Sequence, residues 1–253
     1  MRNQLNLFLT ALMFYTRIPV PKTLEYSPER LNRSTRYFPL VGWIVGGLGA
    51  AVFYGLNVVL PLELAVFLSM MAAIFVTGAF HEDGFADFCD GFGGGYTREK
   101  IFTIMKDSRI GTYGSIGLIG MLGTKFLALQ ALPVYTIPLA LVAGHAFSRL
   151  MPVLVIFTSA YSREDELSKT KPIGKRGKIS DLLLAVVLAL VPMALLPWQL
   201  MAVALPVSLL MTFLFKKYIE RKIGGYTGDC LGALQQLVEV LFYLCLLALA
   251  GRA

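Results

Sequence analysis

Seven apolar runs, near residues 37–60, 62–80, 113–133, 134–160, 181–198, 199–215 and 231–250, leave this chain few folds to choose from. Several approach the ~18–25 residues that a helix needs to cross a ~30 Å hydrocarbon core. Only 15% of the residues are charged and 56% are hydrophobic, whereas a soluble domain carries about a quarter charged residues. None of the runs alternates polar with apolar residues as a barrel strand does, so helices are expected, the other structure that satisfies its own backbone in lipid. The shorter run at 5–15 is followed by Thr-Arg-Ile-Pro-Val-Pro and not by small residues suited to signal cleavage. It is expected to be a retained interfacial or re-entrant helix. The expected fold is therefore all-α: a polytopic integral membrane protein with about seven transmembrane helices, forming a single domain over residues 1–253.

Charge placement sets the topology. Of the 23 Lys and Arg, 20 fall in four segments: the N-terminal stretch through Arg36, and the loops 81–111, 161–180 and 216–230. Seven spans put all four on one side, and the opposite connections at 57–63, 133–138 and 197–199 contain no Lys or Arg. The positive-inside rule makes the basic side cytoplasmic, in the inner membrane, and puts an active site built from helix ends there. The net charge of +7 is thus explained by topology; no basic-aromatic module is visible and no nucleic acid is expected as a partner. The lipid bilayer is the expected surrounding, and assembly as a homo-oligomer is left open.

At the end of the second run stands His81-Glu-Asp-Gly-Phe-Ala-Asp-Phe-Cys-Asp-Gly-Phe-Gly-Gly-Gly95, with four carboxylates in nine residues. On a helix Asp83, Asp87 and Asp90 share one face, and Glu82 lies about 100° round from Asp83. Like charges this close repel unless a cation neutralises them. An all-oxygen donor set favours a hard ion, Mg²⁺ or Mn²⁺, which keeps positions open for phosphate. Glu82, Asp83, Asp87 and Asp90 are accordingly expected as metal ligands. Cys89, Cys230 and Cys245 have no CxxC spacing, and His81 and His145 are the only histidines, so zinc is not expected.

Within that stretch Asp87-Phe-Cys-Asp90-Gly91 is similar to the opening of the signature of membrane CDP-alcohol phosphotransferases, although the later part of that signature is missing. A second segment, Met105-Lys-Asp-Ser-Arg-Ile-Gly-Thr-Tyr-Gly114, sets Asp107 between Lys106 and Arg109, an acid with two cations suited to phosphate. A third, Gly224-Gly-Tyr-Thr-Gly-Asp-Cys-Leu-Gly232, puts Asp229 after a glycine-rich turn, where it could cap a helix, serve a metal or substrate, or do both. Lys125, Arg149 and Glu239 are charges inside apolar runs, which usually face a bundle interior or polar cavity. His145 and Arg149 share a helix face and form a plausible lip for an anionic substrate.

Together these segments resemble the adenosylcobinamide-GDP ribazoletransferase, or cobalamin (5′-phosphate) synthase, family. The resemblance spans Phe14-Tyr-Thr-Arg-Ile-Pro-Val-Pro21, Arg36-Tyr-Phe-Pro-Leu-Val-Gly42, residues 78–95, 105–114 and 145–149, and the segment 224–232. It implies the last step of cobamide assembly: adenosylcobinamide-GDP and α-ribazole, or its 5′-phosphate, give adenosylcobalamin or its phosphate plus GMP, with Mg²⁺. It also implies an architecture related to that of the CDP-alcohol phosphotransferases. Such a transfer needs positioning and neutralisation of phosphate charge more than covalent help. Substrate contacts are expected from His81, Lys106 and Arg109, with Arg36 and Arg149 as further cations. Either Asp107 or Asp229 is expected to take the alcohol proton, the other completing the metal site. Two competing classes are a lipid-forming CDP-alcohol enzyme and a transporter, the latter expected to keep its functional acids near mid-membrane.

Overall fold

A computed structural model describes residues 2–24, 26–162 and 178–251. Most of the expected basic loop at 161–180 lies outside these residues. The described chain is helical: α1 (Arg2–Tyr15), α2 (Pro28–Ser34), α3 (Phe38–Leu56), α4 (Leu62–Thr77), α5 (Phe80–Gly94), α6 (Arg98–Met105), α7 (Thr112–Gln130), α8 (Ile137–Ser148), α9 (Leu150–Thr158), α10 (Ile179–Met193), α11 (Trp198–Ile223) and α12 (Gly228–Ala250). This is a multi-pass membrane architecture. Five helical stretches are long and apolar enough to cross a membrane, and a sixth qualifies if α4 and α5, bent by 88°, are taken as one. The seventh expected span is α10, whose 15 residues reach about 22 Å at 1.5 Å per residue. That is short of the hydrocarbon thickness.

Small residues set the spacing of the bundle. A Cβ placed on Gly42 would stand 2.3 Å from the His145 carbonyl oxygen, and one on Gly46 would stand 2.5 Å from that of Leu141. So α3 and α8 pack antiparallel, backbone against backbone, through a small-xxx-small stripe. Beside them α10 runs parallel to α3: Arg36 pairs with Asp181 at 2.7 Å, and two turns further on Trp43 Nε1 donates to the Leu188 carbonyl at 2.7 Å.

The bend between α4 and α5 follows from the chain's own capping. Ala79 N donates to Ile74 O at 2.9 Å and Gly78 N to Phe75 O at 3.1 Å, the paired bonds of a Schellman ending. Gly78 takes φ +66° at no steric cost. Ala79 follows at φ 58°, a left-handed conformation that costs a residue with a Cβ about 1–2 kcal/mol. Arg17 braces this elbow, its N–H donating to Val76 O at 2.7 Å and its side chain lying across Gly78. Past the elbow α5 packs antiparallel to α7 and α12, and its last turns reach the end of the bundle where α7 begins.

The segments rich in Lys and Arg converge at that end. Arg98 Nη2 donates to Ser162 Oγ at 3.2 Å. Ser162 N donates to Tyr226 O at 2.9 Å and Tyr226 N to Ala160 O at 3.0 Å. The start of α6, the end of α9 and the turn before α12 thus meet around α5, while the Arg36–Asp181 pair joins the starts of α3 and α10.

Candidate active site

Two glycines let α5 and α12 touch. A Cβ on Gly84 would stand 3.0 Å from Asp229 Cα, and one on Gly232 would stand 3.3 Å from the His81 carbonyl oxygen. The antiparallel crossing brings Asp229 beside an acidic face about 140 residues away in sequence. Asp83 is exposed and Asp87 and Asp229 are partly buried. Burial first, and then the negative charges of Asp229, Asp83 and Asp90, push the Asp87 carboxyl up to about 7. Carboxylates that raise one another in this way form a cluster whose repulsion a bound cation would relieve. Asp229 is not the cap of α12: Thr227 holds that position, its Oγ1 accepting from Cys230 N at 3.2 Å, and the Thr227 hydroxyl lies as a donor 3.4 Å from Asp229 Oδ2.

Asp90 is placed differently. Its Oδ2 accepts from Gly111 N at 2.7 Å and its Oδ1 from Gly114 N at 2.8 Å. A Cβ on either glycine would come within 2.4 Å of this carboxylate, which explains the glycines in Ile-Gly-Thr-Tyr-Gly. The buried Asp90 thereby fastens the N-terminus of α7, where a negative charge also suits the helix dipole. Glu82, expected beside Asp83, points the other way: it is 8% exposed and its Oε1 accepts from Gln236 Nε2 at 2.9 Å.

The expected phosphate-binding cations are dispersed. Arg109 forks onto Asp107, with Nε to Oδ1 at 3.0 Å and Nη2 to Oδ2 at 2.7 Å. Both side chains are exposed, Arg109 at 87%. The hydrogen bonds from the Arg109 side chain and backbone hold the Asp107 carboxyl down to about 2, a poor match for a proton acceptor near neutrality. Lys106 ends α6, its N–H donating to Phe102 O at 3.1 Å. Arg36 is buried against Asp181. Arg149 is 1% exposed, donates to the His145 carbonyl at 2.8 Å and lies 5.5 Å over the Phe38 ring. The expected lip formed by His145 and Arg149 is therefore an interior feature. His81 is buried too, stacked on Phe38 at 5.7 Å.

Behind α5 the interior polar groups join into one chain across four helices. Lys125 Nζ lies 3.0 Å from Glu239 Oε1 and donates to Gln236 Oε1 at 2.7 Å. Gln235 Nε2 donates to Glu239 Oε2 at 2.7 Å and to Ser148 Oγ at 2.9 Å, and the Tyr243 hydroxyl donates to Glu239 Oε1 at 3.2 Å. Gln235, Gln236 and Tyr243 were not among the expected site residues. Their signal was available: two adjacent amides, one turn before a buried acid, interrupt the last apolar run.

Among the described residues no three Asp, Glu, His or Cys side chains converge into a ready metal cage. Magnesium does not require one, since it often takes only one or two carboxylates and leaves its other positions to water and substrate phosphate. Asp83, Asp87 and Asp229 have the hard-oxygen chemistry for that arrangement, Asp229 with one contact from the Thr227 hydroxyl at 3.4 Å, whereas both oxygens of Asp90 accept from backbone N–H groups and Glu82 accepts from Gln236.

The family model for cobalamin-5-phosphate synthase matches residues 7–247. A protein of Shewanella amazonensis named adenosylcobinamide-GDP ribazoletransferase is 46% identical over 100% of this chain and 98% of its own length. A protein of the same name from Vibrio cholerae is 44% identical, covering 98% of the chain and 95% of its own length. Another from Leptospira interrogans is 41% identical over 96% of each. No solved structure matches. With the acidic motif, the lysine–arginine turn and the last-helix glycines all inside the matched region, the chain belongs to the cobalamin-5-phosphate synthase family.

Proposed function

We propose that this protein joins adenosylcobinamide-GDP to α-ribazole, or to its 5′-phosphate, and releases GMP. The relatives' shared name supports the reaction, and the observation that carries the site is the meeting of Asp83, Asp87 and Asp229 where α5 crosses α12. In the transfer a ribose hydroxyl oxygen bonds to the cobinamide-side phosphorus of the diphosphate. The bond from that phosphorus to the bridging oxygen breaks, and GMP leaves with the electron pair. Asp83 and Asp87 would hold Mg²⁺ or Mn²⁺, which neutralises diphosphate charge when bound. Asp229, released from capping duty by Thr227, takes the hydroxyl proton. Asp90 keeps the 105–114 turn against α5 through Gly111 and Gly114, and Lys106 on that turn meets the donor's phosphates. The basic segments gathered at this end support a site on the cytoplasmic side of the inner membrane.

The direct test is GMP release by purified protein in detergent, with and without Mg²⁺, offered GDP-activated and CDP-activated donors. Metal-dependent release from adenosylcobinamide-GDP that requires α-ribazole or its phosphate is expected. Equal use of a CDP-alcohol, or no GMP with either acceptor, would contradict the assignment.

A further inference from the structure

Beneath the α4–α5 elbow lies a chamber separate from the outer acids. It has a volume of about 10 Å³, and Thr77, His81, Glu82, Lys125, Arg149 and Glu239 contribute to its walls. That is room for one water-sized group. Three of its wall residues each carry a buried atom with no hydrogen-bond partner among the described residues: His81 Nε2, Glu82 Oε2 and Arg149 Nε. These residues are 2%, 8% and 1% exposed. A buried polar atom left unpaired costs about 1–3 kcal/mol, so three around one small space point to a ligand that supplies the missing bonds. The formal charges are balanced, with Lys125 and Arg149 against Glu82 and Glu239. A neutral group therefore fits better than a phosphate or a cation. The unpaired set offers an N–H donor from Arg149 and a carboxylate acceptor from Glu82, the complement of a hydroxyl, which both accepts and donates.

Resting on the transferase reading above, we propose that this chamber is an acceptor subsite that seats one hydroxyl of the ribose-type alcohol. Arg149 Nε donates to that hydroxyl, and the hydroxyl donates to Glu82 Oε2. The seated hydroxyl is not the reacting one. Glu82 faces inward to Gln236, whereas Asp83 is exposed and the acids that meet the diphosphate lie on the outer side. The hydroxyl that attacks phosphorus must stay with them. The chamber thus anchors and selects the acceptor while the chemistry proceeds outside it. Gln236 holds the anchor, donating to Glu82 and accepting from Lys125; this leaves Glu82 Oε2 available to the ligand.

The test is equilibrium binding to the full-length protein in detergent, using α-ribazole and analogues that each lack one ribose hydroxyl, with donor binding measured in parallel as a check on folding. In the wild type one analogue should bind at least about tenfold more weakly than α-ribazole, because a site built to bond a hydroxyl rejects the molecule without it. Thr77→Leu fills the chamber with an apolar branch. It should abolish that discrimination, since the effects of removing the hydroxyl and of filling its seat couple, while donor affinity stays at the wild-type level. Should Thr77→Leu lose donor binding, Glu82→Gln replaces it, presenting an amide N–H to the chamber and again reducing the discrimination. No discrimination in the wild type, or equal discrimination in the wild type and the variant that folds, overturns the subsite; the latter is the result for a chamber that holds only water. Failure of the transferase reading shows separately, as a wild type that releases no GMP with any acceptor.

Discussion

Gly84 on α5 and Asp229 on α12 are in backbone contact, with only 3.0 Å between the place a Gly84 Cβ would occupy and Asp229 Cα. This contact determines whether the outer acids form one group. Gly84→Val should separate the helices and move Asp229 away from Asp83 and Asp87. Because a displacement of about 1 Å can cost on the order of 100-fold in rate, kcat should fall at least ~10-fold in protein that still inserts and purifies. A variant with wild-type kcat would show that the contact does not matter to the chemistry.

Asp90 is expected to behave as an anchor. Asp90→Asn removes the charge and can keep only one of the two bonds to Gly111 and Gly114, a loss of about 1–3 kcal/mol for a bond to a charged group. The melting temperature should drop, and the shift produced by adding Mg²⁺ should keep its wild-type size. If that metal-dependent shift disappears with Asp90→Asn, as is expected for Asp87→Asn, Asp90 is a ligand.

Asp107 provides a pH signature. Its carboxyl is held at about 2 in the folded protein, below the ordinary 3.8, chiefly by the Arg109 side chain. A depressed folded value means that the pair's contribution is present above about 3.8 and lost as pH falls through about 2. The pair is exposed and its effect on stability is small, so the titration is best followed by carboxyl chemical shift. In Arg109→Ala the midpoint should return to the ordinary carboxylate range; an unmoved midpoint would contradict the forked pairing.

The interior chain should be a stability element. Glu239→Gln leaves the Lys125 charge buried without its partner at 3.0 Å, and breaking a buried pair from one side costs about 3–5 kcal/mol. Replacing both together, Lys125→Met with Glu239→Leu, should recover part of that loss. The comparison of melting temperatures decides it: a double variant less stable than Glu239→Gln alone would contradict this account.

Much of this was legible in the sequence because lipid permits few solutions. The apolar runs all correspond to helices, and the helical phase of Asp83, Asp87 and Asp90 is realised in α5. What failed to show was direction and partnership. Glu82 follows the same motif but turns inward because Gln236, more than 150 residues away, waits there. Arg36 and Arg149 read as phosphate-binding cations, yet their partners are Asp181 and the His145 carbonyl. The elbow was hidden too: an 88° bend rests on Gly78 and on Ala79 at φ 58°, and an alanine carries no local signal for that conformation. Nor did Asp107 and Arg109, two residues apart, announce that each would satisfy the other.

The central claim is a metal-dependent transfer carried by the acids at the α5–α12 crossing, and the most direct measurement is GMP release at limiting Mg²⁺ by wild type and Asp87→Asn. Asp87 sits among Asp83, Asp90 and Asp229 and bears their repulsion, so Asp87→Asn removes the proposed ligand charge while nearly preserving its shape. The account predicts that the wild type converts adenosylcobinamide-GDP and α-ribazole to adenosylcobalamin and an equal amount of GMP. Asp87→Asn, folded and inserted, should be slower by at least ~100-fold, on the scale of losses for a group that stabilises charge in the transition state. Near-wild-type turnover by Asp87→Asn at limiting Mg²⁺ would contradict it.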